Sequence, residues 1–471
     1  MVLTSDDTKS TGRRPARSNQ AERGARRPDD RGPVKPGLAA RAAASKILAA
    51  VIDRKTPLDG MLDGDHGNPA YRVLEDNDRA LVRAILNSAL RHLPRIEAAI
   101  ASLLDAPLPE GARALHHVLV VAAAQMLYLD IPDHSAVDLA VEQANQDPRN
   151  RRFAKLVNAV LRRMGREKDE ILSRTATVPV MPAWFLSRLE KAYGRAEALT
   201  ISDTQLQPAA IDVTVKSDPE GWARRLNGLV LPTGSVRLAN FDGTIPALDG
   251  FDEGEWWVQD AAASIPAKLF GSLAGKRVFD LCAAPGGKTA QLIQAGGTVT
   301  ALDQSESRLR RLTSNLARLG LKAETVVADM AKYATDELFD AALLDAPCSS
   351  TGTTRRHPDV LWTKGREDIA KLAALQERLL RHALTLVKPG GIVVFSNCSL
   401  DPSEGEEIVA RILADIPDVE RVAIRPQDWP GLEMAISPLG DFRTTPAMLS
   451  LPEGFASGLD GFYASVLRRG D

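Results

Sequence analysis

The stretch Val278 to Leu292, VFDLCAAPGGKTAQL, constrains this chain more than any other. An apolar run ending at Asp280 passes into a tight segment, Cys282-Ala-Ala-Pro-Gly-Gly-Lys288, and Thr289 onward opens a helix. A strand, a glycine turn and a helix start are the parts of a doubly wound ligand site, with the ligand beyond the carboxyl end of the strand. Gly286 and Gly287 let the backbone approach a ligand with no side chain between. The N–H groups that open the helix favour a negatively charged group such as a carboxylate. Two phosphate-loop readings fail. A Walker-type loop needs glycine where this chain has Cys282, and the dinucleotide pattern G-x-G-x-x-G is absent. Taken alone, the stretch is also compatible with an ordinary turn of any α/β fold.

Beyond Leu292 strands and helices alternate, which predicts a parallel, doubly wound sheet. Strands are expected over Thr298–Leu302, Glu324–Ala328, Phe339–Leu344 and Gly391–Ser396, and helices over 306–319, 367–387 and 403–415. Gly461–Leu467 reads as a late strand, antiparallel at the far side. Four strand ends carry acids on one sheet edge: Asp280, Asp303, Asp329 and Asp345. An acid closing the second strand suits the two hydroxyls of a ribose, because a carboxylate accepts from both. Asp329, one strand on, falls by the adenine end. Two cysteines are more pointed still. Cys348, in DAPCSSTG, and Cys398, in SNCSLDP, each lie just past a strand's carboxyl end, so a parallel sheet brings both thiols to the ligand edge. Cys282 reads instead as a buried small hydrophobe.

The front half is different in kind. Residues 1–37 carry nine Lys/Arg against five Asp/Glu and almost no large apolar residue, so they cannot offset the entropy of ordering. A disordered basic arm is expected, either touching phosphate non-specifically or merely solubilising. From residue 38 to 164 the apolar period is helical, with Asp78 and Ser135 as expected caps and the densest run at Val118–Leu129. That run is too short to span a bilayer. Residues 165–258 read as linker helices followed by a small α+β subdomain, where Ala210–Val215 alternates. The catalytic part is placed at 259–471. Three cysteines with no C-x-x-C pair argue against a disulfide framework and a zinc site. With no apolar signal core at the N-terminus, a cytoplasmic protein without a metal is expected.

Residues 38–164 resemble the NusB family of all-helical RNA-binding domains, on DNDRALVRAILNSALRHL, MLYLDIPDHSAVDLAVEQA and FAKLVNAVLRRM. The segments FDLCAAPGGKT, ALDQSESRL, DAALLDAPCSSTGTTRRHPD and VVFSNCSLDPSEGEE resemble the successive motifs of S-adenosylmethionine-dependent RNA cytosine-5 methyltransferases. Together the two halves are similar to the bacterial 16S rRNA enzymes of the Sun/Fmu type. The resemblance implies a multidomain chain: an all-α NusB-like bundle, a small α+β RNA-binding subdomain, and an α/β Rossmann-like methyltransferase domain.

It also implies roles. Carbon 5 of cytosine is a poor nucleophile, and a thiolate adding to carbon 6 activates it. By the family's pattern Cys398 is that nucleophile, Cys348 aids product release, and Asp345 holds the cytosine edge. Cys282, Ala283, Ala284, Pro285, Gly286, Gly287 and Lys288 hold the methionine end of S-adenosylmethionine, with Asp303, Asp329 and Asp345 around the rest. Arg355, Arg356 and His357, after the Pro-Cys-Ser turn, and Arg162 and Arg163, on the last bundle helix, are RNA-contact candidates. The expected partner is 16S rRNA, free or at an early assembly stage, with no membrane, no DNA and a monomeric chain. Asn397 where the family has Thr, Gly405 after Glu404, and Asp212 and Thr214 in the subdomain depart from the pattern. Two rivals stay open: a tRNA cytosine-5 methyltransferase, and a catalytically silent RNA-binding assembly factor.

Overall fold

In the sequence Arg113–Tyr128 almost no residue between Leu115 and Leu127 is strongly polar, and a helix that is apolar all round belongs inside. The computed structural model places it so. The model describes residues 35–470 apart from positions 65, 208, 240 and 242. The expected basic arm over residues 1–37 therefore lies, but for its last three residues, outside the described residues. Around Arg113–Tyr128 pack the helices Leu38–Arg54, Asp76–Arg91, Leu93–Leu103, Asp133–Gln146 and Ala154–Arg166. Gln125, the polar residue between Val118 and Leu127, is satisfied in the core. It accepts from Arg41 Nε at 2.9 Å and donates to the Val121 carbonyl at 2.8 Å. Two caps differ from expectation. Asp78 lies inside the first turn of a helix that begins at Asp76, where its charge favours the positive helix end. Ser135 lies inside a helix that begins at Asp133, because Pro132 already turns the chain there.

Three further helices, Lys168–Thr175, Ala183–Tyr193 and Arg195–Thr204, lead to a four-stranded antiparallel sheet. Its strands are β1 (Asp212–Val215), β2 (Gly228–Val230), β3 (Val236–Leu238) and β4 (Trp256–Val258), in the order β2-β3-β1-β4. Asp212 and Thr214 are buried within this subdomain. Asp212 is fully buried in an ion pair with Arg237, at 2.7 and 2.8 Å, and Thr214 donates to Gln259 at 2.8 Å.

The large sheet has β5 (Arg277–Leu281), β6 (Thr298–Asp303), β7 (Glu324–Val327), β8 (Phe339–Asp345) and β9 (Val387–Asn397). It continues with β10 (Val419–Arg421), β11 (Phe442–Thr444) and β12 (Phe462–Arg469). The order is β10-β12-β9-β8-β5-β6-β7, with β11 beside β12. Strands β5 to β9 are parallel and β12 is antiparallel to β9. Central strands covered by helices on both faces read as continuous apolar runs, as Ala341–Leu344 does. The strand order reverses beside β5, which puts the ligand crevice at its carboxyl end. The three-part architecture is the one expected.

The helical region is tied to the segment that follows Cys348. Arg91 of Asp76–Arg91 donates to the carbonyls of Gln205, Gln207 and Arg355 at 2.6 to 2.9 Å. Trp362 Nε1 donates to the Leu90 carbonyl at 2.9 Å, and the Leu58 amide donates to Asp359 at 3.0 Å. Among the described residues no helix is long and apolar enough to cross a membrane.

Candidate active site

The chain leaves β5 through Cys282, whose φ of 62° is unusual for a residue with a side chain, and reaches Gly286 at φ 105°. At Gly286 a side chain is excluded twice, by that backbone angle and by Leu312, 2.9 Å from where a Cβ would stand. This turn opens the helix Gly287–Gln294 against a cavity of about 570 Å³. The whole loop Cys282 to Lys288 lines it, together with Asp280, Asp345 and Cys398. Lys288 Nζ donates to Asp345 Oδ2 at 2.8 Å and stands 4.9 Å from the centre of the Phe462 ring. Asp345 Oδ1 accepts from Ser396 Oγ at 3.0 Å.

The two thiols meet. Cys348 Sγ is 3.4 Å from Cys398 Sγ, and neither is in a disulfide. The hydrogen bond between them drives their acidities apart. That bond holds Cys348 well above the usual cysteine range, with burial and the Cys398 charge acting in the same sense. It pulls Cys398 below the usual range against the opposing effects of burial and Asp345, with Ser350 and Lys288 also lowering it. Cys282 behaves as a buried thiol, pushed up to about 12 by burial and by the carboxylates of Asp345, Asp303 and Asp280.

Asp303 and Asp329 are not in the cavity wall. Asp303, at the end of β6, is buried; its Oδ1 accepts from the Ser305 amide at 2.9 Å, and its Oδ2, without a hydrogen bond, stands 3.3 Å from Arg308 in an ion pair. Asp329 is half exposed, accepts from the Ala331 amide at 3.1 Å, and stands 3.6 Å from Lys332.

The arginines after Cys348 sit differently from a surface loop. Arg355 is 1% exposed, donates to the Ser457 carbonyl at 2.9 Å and lies 3.8 Å from Asp460, so it cannot meet a phosphate. The reason is the chain's return under residues 456–460. Arg356 reaches the cavity but is bound to Asp260 at 2.5 Å and Asp460 at 2.9 Å. Burial opposes ionisation of Asp260, yet Arg356 outweighs it and holds that carboxyl below its usual range. His357 lines the cavity 3.4 Å from Asp59 of the helical region, which raises its basicity. Arg162 and Arg163 are exposed; the first donates to Asn158 and the second to Glu167. Among the described residues no three His, Cys, Asp or Glu side chains converge as a metal site.

Reading along the chain missed Phe462, Asp260 and Asp460 as parts of this wall. Their signal was present in WWVQD and LDGFY, each a turn at a strand end. The departures from the family pattern are internal packing. Asn397 is buried, accepts from the Ser399 amide at 2.9 Å and donates to the Glu404 carbonyl. At Gly405 a Cβ would stand 2.8 Å from both the Tyr463 ring and Arg443.

Asp280 carries a pH prediction. Thr289 Oγ1 donates to its Oδ2 at 2.6 Å, while Oδ1 is buried without a partner. Burial pushes this carboxyl up to about 7; Thr289 and Lys288 oppose the shift, and Asp345 and Asp303 add to it. Between about pH 4 and that value the fold keeps a proton that the unfolded chain releases. The contribution to stability is therefore full below that window and is lost as pH rises through it. Asp280→Asn imitates the protonated form, so its urea midpoints at about pH 5 and about pH 8 should differ less than those of the wild type. An undiminished difference would contradict this account.

Comparison with known proteins agrees with both halves. Residues 270–468 match the model of the 16S rRNA methyltransferase RsmB/F family, and residues 38–166 match that of the NusB family. Ribosomal RNA small subunit methyltransferase B of Vibrio vulnificus is 34% identical over 91% of this chain and 98% of its own length. The protein of the same name from Klebsiella pneumoniae is 33% identical over 93% and 100%. Among solved structures, that of PH0851 covers 93% of this chain and 100% of its own at TM-score 0.68 and 21% identity, which shows the fold. A methyltransferase homologue from Pyrococcus horikoshii covers 60% and 94% at TM-score 0.50 and 27% identity.

Proposed function

The chain belongs to the ribosomal RNA small subunit methyltransferase B family, and on that footing we propose that it methylates carbon 5 of a cytosine in 16S rRNA, with S-adenosylmethionine as donor and a covalent bond from Cys398 to carbon 6. One observation carries the reading: two free thiols of opposite acidity stand 3.4 Å apart at the ends of adjacent strands, beside the Lys288–Asp345 pair.

The donor's site is argued from what the chain leaves unfilled. Asp280 Oδ1 is a buried acceptor without a hydrogen-bond partner, and on the neighbouring strand Asp303 Oδ2 has no hydrogen bond but an ion pair with Arg308 at 3.3 Å, which suits a ligand bringing N–H and O–H groups. Residues 282–288 would hold the methionine end, Asp303 the ribose and Asp329 the adenine side. S-adenosylmethionine, held there, supplies a methyl group made electrophilic by its sulfonium, which activated carbon 5 takes up.

Cys398 enters as a thiolate and adds to carbon 6. Asp345 has two of its roughly four acceptor positions engaged by Lys288 and Ser396. The remaining ones can take an N4 amino hydrogen of the cytosine and, once N3 gains a proton as the adduct forms, the N3–H. Once Cys398 sulfur bonds carbon, its charge is gone, and Cys348 can lose its proton to solvent. As a thiolate Cys348 then takes the carbon 5 proton, the electrons left behind re-form the carbon 5–carbon 6 double bond, and the carbon–sulfur bond breaks with Cys398 leaving as thiolate. A base must leave its stack to reach this cavity, so the target lies in a loop or bulge of RNA that is free or early in assembly. Arg162 and Arg163 offer exposed positive charge for phosphate, and His357 lies at the cavity mouth. The chain acts as a monomer in the cytoplasm.

The test is methyl transfer from tritiated S-adenosylmethionine to deproteinised 16S rRNA and to tRNA, with the product nucleoside identified. Label recovered as 5-methylcytidine in 16S rRNA is expected. Label confined to tRNA would overturn the substrate, and binding of donor and RNA with no transfer to either, or to a ribosomal particle, would favour a silent assembly factor.

A further inference from the structure

Glu404 does not line the cavity described above, yet it is bound to both cysteine turns. It is fully buried. Its Oε1 accepts from the Ser349 amide at 2.9 Å and from Gln376 Nε2 at 2.8 Å. Its Oε2 accepts from Ser399 Oγ at 2.6 Å and from Ser349 Oγ. Ser349 follows Cys348, and Ser399 follows Cys398. Gln376, on the buried face of the helix Arg366–Thr385, also donates to the Pro347 carbonyl at 3.0 Å, so the Cys348 turn is gripped on both sides. The hydroxyl directions are consistent with an ionised carboxylate. The Asp401 amide donates to Ser399 Oγ at 3.0 Å and the Leu400 amide to Thr351 Oγ1 at 3.0 Å. Ser399 is thereby left to donate to Glu404, and Thr351 to donate to Ser349.

A carboxylate accepts through about four lone-pair positions, and here four uncharged donors fill them. No neutral side chain of that size does the same. Glutamine would turn an NH₂ group toward two of the four donors and leave them buried without acceptors. Charge buried among neutral dipoles is costly, and burial does raise this carboxyl above its usual range. What the charge obtains is a single rigid link between two turns that are 50 residues apart in sequence.

Resting on the proposed roles of the thiols, we propose that Glu404 is a positioning residue: acting through Ser349 and Ser399, it fixes the distance between Cys348 and Cys398 without touching donor or RNA. Mispositioning reacting groups by about 1 Å costs about 100-fold in rate. Glu404→Gln should therefore lower kcat by about 100-fold, while the KM for RNA and the Kd for S-adenosylmethionine stay within about threefold.

A second readout reports thiol geometry independently of activity. The aromatic disulfide 5,5′-dithiobis(2-nitrobenzoate) is added to the full chain. One cysteine thiolate displaces a thionitrobenzoate and forms a mixed disulfide. The partner thiolate then displaces the second thionitrobenzoate, so two thiols are oxidised and one reagent molecule is reduced. Peptide mapping should find Cys348 joined to Cys398 in the wild type, and retained reagent on one of them in Glu404→Gln. A folded Gln variant with wild-type kcat, or one that cross-links as the wild type does, would overturn the proposal, as would kcat lost only in step with donor binding. Should Glu404→Gln not fold, Ser399→Ala removes one of the four donors and is read the same way, with unchanged kcat and cross-linking counting against the proposal. If the wild type methylates no RNA, the proposed reaction fails, and the cross-linking comparison still decides the role of Glu404.

Discussion

Replacing Cys398 by alanine should lower methyl transfer on the order of 10⁴-fold or more, because loss of a covalent nucleophile leaves only binding and orientation. Donor binding should survive, since Cys398 is one wall residue among many in the cavity. Cys348→Ala should fail later. The thiolate still adds and the methyl is still taken up, but the carbon 5 proton has lost its acceptor. The methylated RNA then stays bonded to Cys398, and a denaturing gel should show the protein shifted by its RNA. Treatment with ribonuclease should collapse that shift. A stable adduct in Cys398→Ala, with none in Cys348→Ala, would exchange the two assignments. The geometry makes this asymmetry physical: the hydrogen bond between the thiols raises Cys348 and lowers Cys398. Removing Cys348 therefore also withdraws the hydrogen bond that helps keep Cys398 ionised, so the adduct should form more slowly at low pH than at high pH.

The largest loss of stability is expected from Arg237→Met. Arg237 and Asp212 are both fully buried, and the pair is bidentate at 2.7 and 2.8 Å. Arg237 also donates to the carbonyls of Ala456 and Gly458, each at 2.7 Å, and Asp212 accepts from the Ala261 amide at 3.0 Å. The pair thus joins the small sheet to the start of the catalytic part and to the loop above Arg355. Without the guanidinium, a buried carboxylate and two carbonyls are left without it, and breaking one side of such a pair costs about 3–5 kcal/mol. Denaturant unfolding should show that loss, and the double variant Asp212→Val/Arg237→Met should recover much of it. A loss under about 1 kcal/mol would mean that water or another cation takes the place of Arg237.

Several features were legible in the chain because they are local. The turn at residues 282–288 announces itself through glycines that the backbone needs, and the parallel strands through apolar runs that end in acids. β12 was legible for the same reason. β10 and β11 were not, because three residues each give no period to read. Local reading also put both cysteines at one sheet edge, since strand direction decides which end of a strand faces the crevice.

Distance and company are a different matter. Arg355 and Arg356 look like an exposed basic pair, and only the fold shows that Asp260 and Asp460, about 100 residues away on either side, already hold them. Asn397 and Gly405 read only as departures from the family pattern, whereas the structure shows them fitted to Glu404, Tyr463 and Arg443. The sequence by itself determined the architecture, the ligand edge and the two thiols, because turn chemistry and strand period act over a few neighbouring residues. Tertiary structure alone decided which thiol is the more acidic, which arginines are spent inside the protein, and that Glu404 lies beneath both cysteines. Those outcomes depend on burial and on partners brought together from distant parts of the chain.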